Sequence, residues 1–100
     1  MSAPSAPVGP FPDPMMPPIT VYTKPLCPYC SRAMSLLKKK GADFTEIEAA
    51  WDQTRRQEML SKSNGKTTYP QIFIGEIHVG GCDDLMALDR TGELDSLLAG

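Results

Sequence analysis

The stretch "ITVYTKPLCPYCSRAM", residues 19–34, decides how the rest of the chain is read. Ile19-Thr20-Val21-Tyr22-Thr23 alternates at the strand period and is rich in β-branched residues, which predicts a β-strand. Lys24-Pro25 ends it, and two cysteines three apart follow. From Cys30 the apolar positions Cys30, Ala33, Met34 and Leu37 recur at i, i+3, i+4 and i+7, so a helix begins at once and Gly41 is placed to stop it. A strand followed directly by a CxxC pair and a helix leaves three uses for the cysteines: a disulfide staple, a zinc site or a redox pair.

The pattern continues outward in kind. Residues 43–47 read as a second strand, which the intervening helix makes parallel to the first. A helix is expected from Trp51 to Lys62, closed by Asn64-Gly65. Gln71–Ile74, a Gly75-Glu76 turn and Ile77–Val79 form a hairpin that ends at Gly80-Gly81. Cys82 to Leu98 is helical, with a break near Thr91-Gly92. The order is βαβ, a helix, then ββα. This is an α/β domain with a four-stranded mixed sheet flanked by helices.

One hundred residues allow one domain. The first eighteen carry seven of the ten prolines and no apolar period, so residues 1–18 are expected to be a disordered, proline-rich extension and residues 19–100 the folded unit. A formal net charge of -2 argues against a nucleic-acid surface, which needs clustered positive charge. Lys38-Lys39-Lys40 falls at a helix C-terminus, where cations suit the helix dipole. No stretch reaches the roughly 20 apolar residues of a membrane span. The N-terminus has neither a secretory nor a transit pattern, so a cytoplasmic location is expected. In that reducing setting, three cysteines do not make a disulfide scaffold.

Physical chemistry separates the remaining uses. Cys27 stands at or just before the first turn of the helix, where free N–H groups and the dipole favour a thiolate, and Lys24 adds positive charge nearby. Cys30 lies one turn deeper on the apolar face, where desolvation keeps it a thiol. Cys27 is therefore the attacking sulfur and Cys30 the resolving one. Pro28 suits the first helical position, which needs no N–H. A zinc site would recruit His78 and Cys82, an H-x3-C pair, but the regular βαβ pattern around the cysteines is not that of a zinc knuckle. His78 reads as a surface or hydrogen-bonded strand residue, and no metal is expected.

The segments "YTKPLCPYC", "TTYPQIFIG", "GGCDDL" and "GELDSLL" together resemble the glutaredoxins, in particular the bacterial dithiol class of the thioredoxin superfamily. The likeness spans nearly all of residues 19–100. It implies a thioredoxin-like fold and glutathione-dependent thiol–disulfide exchange, with glutathione as co-substrate. It further implies that Lys24, with Arg56 or Gln57, meets the glycyl carboxylate, and that Thr68 and Tyr69 present backbone to the cysteinyl part. Pro70 would be cis. The Gly81–Asp83 helix start would take the γ-glutamyl carboxylate on the N–H groups of Cys82 and Asp83, and Asp83 would pair with the glutamyl ammonium or cap the helix. Tyr29 would cover the attacking sulfur or flank glutathione.

The resemblance also implies glutathionylated or disulfide-bonded protein partners, ribonucleotide reductase among them, and a monomer. Tyr69 departs from the aliphatic residue usual before the proline. Cys82 is expected to be a small, partly buried helix-start residue. Three rival functions remain: a redoxin fed by thioredoxin reductase, a carrier of a glutathione-ligated [2Fe–2S] cluster, against which Pro28 speaks, and a docking module that uses the proline-rich tail.

Overall fold

The computed structural model describes residues 17–99. Eight elements follow in order: β1 (Ile19–Thr23), α1 (Pro28–Lys39), β2 (Thr45–Glu48), α2 (Gln53–Lys62), β3 (Gln71–Ile74), β4 (Ile77–Gly80), α3 (Cys82–Thr91) and α4 (Glu93–Leu98). The strands form one sheet in the order β2-β1-β3-β4. β1 pairs with β2 in parallel and with β3 antiparallel, and β3 and β4 form the expected antiparallel hairpin.

Alternation along β1 and β3 sends their side chains to opposite faces. Ile19, Val21, Ile72 and Ile74 face α1, α3 and α4, where they bury Ala33, Leu37, Leu85, Leu94 and Leu98. Tyr22 and Phe73 face the other way and pack with Ala49 and Met59, their rings edge to face at 5.7 Å. α2 is fastened to this second face by polar contacts as well. The Tyr22 hydroxyl donates to Glu58, Arg55 pairs with Glu58 at 3.1 Å, and the Lys62 ammonium lies over the Tyr22 and Phe73 rings.

Three boundaries differ from the expected ones, each for a local reason. β2 starts at Thr45 rather than Asp43, where the parallel register with Thr20 begins. α2 starts at Gln53 rather than Trp51, because the Asp52 side chain caps it by accepting the Arg55 N–H. Gly80 belongs to β4 rather than to the turn after it. Pro17 and Pro18, placed by the sequence in the extension, lie against the hairpin turn, where Gly75 N–H donates to the Pro18 carbonyl at 2.7 Å. The rest of the expected proline-rich extension, residues 1–16, lies outside the described residues.

Candidate active site

The parallel β1–α1–β2 unit delivers Cys27 to the end of the sheet. Cys27 is the N-cap of α1, in extended conformation, with Pro28 in the first turn. Its sulfur accepts the Cys30 N–H at 3.2 Å, and its carbonyl accepts the Ser31 N–H at 3.1 Å. Both cysteines are buried free thiols. Burial pushes the Cys30 thiol up to about 12, and its hydrogen bond to the Cys27 sulfur adds to this. A backbone hydrogen bond at Lys24 opposes it. The two sulfurs thus differ by position: Cys27 faces the helix N-terminus, and Cys30 sits in the core side of the first turn.

A cleft of about 450 Å³, lined by Tyr29 but by neither Cys27 nor Cys30, opens between α1, the loop before β3, β4 and the start of α3. Tyr29, Thr68, Tyr69, Pro70, Gly81, Cys82 and Asp83, all named from sequence, line it. The Tyr69–Pro70 peptide is cis. Lys24 lines a separate groove, together with Cys27 and Cys30. Arg56 is half-buried and Gln57 exposed on α2, and neither lines the cleft or the groove.

The cleft also holds residues that sequence reasoning missed. Lys66 lines it and brings a cation; a lysine following Asn64-Gly65 reads from sequence as ordinary turn surface. His78 and Gln71 line it too. Gln71 donates to both the carbonyl and the hydroxyl of Thr68 at 3.0 Å, while its oxygen contacts His78 Nε2 at 2.7 Å. His78 stacks on Phe73, with ring centroids 4.8 Å apart. This chain ties the rung before Pro70 to β4, and only the strand pairing reveals it.

The start of α3 is capped differently from the expectation. Asp84, not Asp83, receives the Gly81 N–H at 3.0 Å, because the third helical residue is the one that reaches back to the N-cap. Asp83 is exposed on the cleft wall. Gly80, at φ +113°, has no room for a side chain beside the Asp84 carboxylate. Cys82 is buried rather than partly buried. Burial raises its thiol's pKa, the Arg32 cation partly offsets this, and the charges of Asp83 and Cys27 reinforce it.

A mixed four-stranded sheet with a CxxC pair at the start of the first helix and a cis-proline just before the third strand defines a thioredoxin-like dithiol protein. The comparisons are narrower. The glutaredoxin family model matches residues 19–79. A glutaredoxin from Pseudomonas aeruginosa is 56% identical over 84 residues, covering 84% of this chain and 99% of its own. The solution structure of a Brucella melitensis glutaredoxin superposes with a TM-score of 0.74 at 53% identity, covering 91% of this chain and 95% of its own. A buckwheat glutaredoxin–glutathione complex gives 0.72 at 34% identity, covering 82% and 76%. The chain belongs to the glutaredoxin family, and it is a glutathione-dependent thiol–disulfide oxidoreductase.

Proposed function

We propose that the Cys27 thiolate attacks the glutathione sulfur of a mixed disulfide, so that a Cys27–glutathione disulfide forms as the substrate's S–S bond breaks and its thiolate leaves. A second glutathione thiolate then attacks the glutathione sulfur on Cys27, releasing oxidised glutathione and returning Cys27. With a protein disulfide, Cys27 instead becomes linked to the protein, and Cys30 loses its proton to water and attacks Cys27. That expels the protein thiolate and leaves a Cys27–Cys30 disulfide, which two glutathiones reduce.

The observation that carries this reading is the Cys30 N–H donating to the Cys27 sulfur, which sets that sulfur against the free N–H groups of the helix's first turn. The resolving step is timed by the contact between the two sulfur atoms. Once Cys27 is in a disulfide its charge is gone, and two of the causes that hold the Cys30 proton, the hydrogen bond and the charge of Cys27, go with it.

Glutathione lies in the cleft on this reading. Its cysteinyl backbone runs along Thr68-Tyr69 before Pro70, as an added strand would. Its γ-glutamyl carboxylate meets the N–H groups of Cys82 and Asp83, and Tyr29 and Gly81 form the walls. Lys66 and Lys24 are the cations for its glycyl end. Lys24 reaches across from its own groove, and Arg56 or Gln57 contributes only if its side chain swings over from α2.

The active unit is residues 19–100, acting as a monomer in the cytoplasm on glutathionylated and disulfide-bonded proteins, of which ribonucleotide reductase is a candidate. No helix among the described residues is long and apolar enough to cross a membrane.

The test is glutathione-coupled reduction of a small mixed disulfide. Cys27→Ser is expected to be inactive, Cys30→Ser to keep substantial activity on this substrate while losing it on protein disulfides, and a variant lacking residues 1–18 to match wild type. Turnover driven by thioredoxin reductase but not by glutathione would overturn the glutathione site. Inactivity with both donors in a brown protein would point to a cluster carrier.

A further inference from the structure

We propose that the groove on the β1–β2 flank of Cys27 docks the polypeptide half of a protein disulfide. The groove selects a segment with an apolar and a basic residue next to its cysteine. The proposal rests on the disulfide-exchange reading above and adds the partner's chemistry to it.

The groove encloses about 490 Å³, and its walls include Lys24, Leu26, Cys27, Met34, Glu46 and Glu48. The sheet order β2-β1-β3-β4 separates it from the cleft, which lies over β3, β4 and α3. Cys27 lines the groove, and Tyr29, two residues further on, lines the cleft, so a polypeptide in the groove leaves the cleft free for glutathione.

Leu26 is the first clue. It is fully exposed and sits at φ +56°, a left-handed conformation that is unfavourable for a branched residue. Nothing is gained inside the molecule in return, since its side chain touches no core. Trp51 is the second. Thr23 and Glu48 are parallel register partners, so the chain leaves β1 and β2 at the same end. Three residues beyond each come Leu26 and Trp51, the latter 85% exposed. Tyr29, more than half exposed, stands at this end also. Among the described residues the remaining large exposed apolar side chain, Ile77, sits beside the Gly75-Glu76 turn at the far end. Apolar exposure concentrated round a nucleophile marks an interaction surface.

Charge supplies the selectivity. Glu46 and Glu48 line the groove, and Lys24 is its one cation. With Lys24 committed to glutathione, the groove is left acidic, which favours a lysine or arginine on the partner and disfavours an acidic one. The covalent step is the one already written: the Cys27 sulfur bonds to the partner's sulfur, the partner's S–S bond breaks, and the other thiolate leaves. The flanking residues lie in the groove while that bond exists.

The experiment compares kcat/KM for two disulfide peptides that differ only in the two residues after cysteine, Leu-Lys in one and Ser-Glu in the other. A small mixed disulfide of glutathione serves as reference. Wild type is expected to prefer the Leu-Lys peptide about tenfold. Leu26→Asn keeps a residue that tolerates positive φ and is expected to lower that preference about threefold. Glu48→Lys is expected to abolish or reverse it, and both variants should reduce the reference substrate at the wild-type rate. Equal rates on the two peptides, or a preference that neither variant moves, would overturn the docking surface while leaving the glutathione site intact. Peptide preference without turnover of the reference would instead sink the glutathione site and keep the groove. Failure on every substrate would overturn both.

Discussion

On one face of the sheet Ile19, Val21, Ile72 and Ile74 meet α1, α3 and α4 through an almost wholly hydrocarbon contact. On the other, Tyr22 and Phe73 meet Ala49 and Met59 in a small cluster, and a Tyr22–Glu58 hydrogen bond with Arg55 and Lys62 around it completes the seal. The helices whose N-termini form the site, α1 and α3, both belong to the hydrocarbon face. Close packing leaves such helices little freedom, which suits a thiol and an anion-binding helix start that must keep their spacing. α2, which carries Arg56 and Gln57, belongs to the face with the smaller apolar cluster and a polar bond from sheet to helix. The ion pairs of the larger face, Lys40 with Asp89 at 2.7 Å and with Asp95 at 3.0 Å, instead join helix ends to one another. The difference implies that the site's fixed parts and its adjustable parts are separated by the sheet.

The largest effect that tests this is a cavity on each face. Leu85 and Met59 are both fully buried. Leu85→Ala is expected to cost about 3–5 kcal/mol and Met59→Ala about 2–3 kcal/mol, because the smaller cluster can collapse more readily. Leu85→Ala should also raise KM for glutathione, since it loosens α3, whereas Met59→Ala should leave it within twofold. Denaturant unfolding with steady-state kinetics reads both. Equal losses of stability and of glutathione affinity in the two variants would erase the distinction between the faces.

Gly80→Ala comes next. It forces a side chain into φ +113° and against the Asp84 carboxylate, so it should break the Gly81 N–H cap. A cost of about 2 kcal/mol is expected from strain and the lost cap. The kinetic signature is a raised KM for glutathione with kcat largely kept. A variant with normal KM would mean that the cap does not set the cleft wall.

The hydrocarbon face was legible in the sequence because period-2 and period-3.6 apolar patterns encode burial directly. Val21, Ile72, Ala33 and Leu37 announce themselves, and the CxxC pair is fixed by the helix that follows it. What stayed hidden depends on contacts distant in sequence. The Tyr22–Glu58 bond spans 36 residues, and nothing in "RRQEML" says which charge faces a tyrosine. The His78–Gln71–Thr68 chain depends on β3 and β4 pairing with His78 opposite Phe73, two residues from Gln71. Asp83 and Asp84 stand side by side, and only the helix start tells which one caps it. For the same reason the sequence could not choose between Arg56 and Gln57, nor separate Lys24 from the cleft.

The polar seal is tested most directly by Tyr22→Phe, which keeps the packing on Phe73 and Met59 and removes the donor to Glu58. Hydrogen bonds to a charged acceptor contribute about 1.5–3 kcal/mol when buried, but Glu58 is half-exposed and can be rehydrated, so a loss of about 1 kcal/mol is expected. Activity should stay near wild type, because neither residue lines the cleft. A cost as large as that of Met59→Ala would show that the hydroxyl, not the hydrocarbon, holds α2.

The smallest effect is the pH dependence of that difference, and its sign follows from the two shifts. The Tyr22 hydroxyl, ahead of Arg55, holds the Glu58 carboxyl below its ordinary value against some desolvation. A depressed carboxylate stabilises the fold fully above its unfolded pKa, about 4.3, and that contribution fades as pH falls through the folded value. Burial, then the hydrogen bond and charge of Glu58, raise Tyr22. A raised phenol contributes fully below its unfolded pKa of about 10 and loses that contribution as pH rises beyond it. The stability gap between wild type and Tyr22→Phe should therefore be flat from about pH 5 to 9 and shrink at both ends. Urea midpoints across that range measure it. A gap unchanged down to pH 3 would mean that the seal is a matter of packing after all, and that the two faces differ in area rather than in kind.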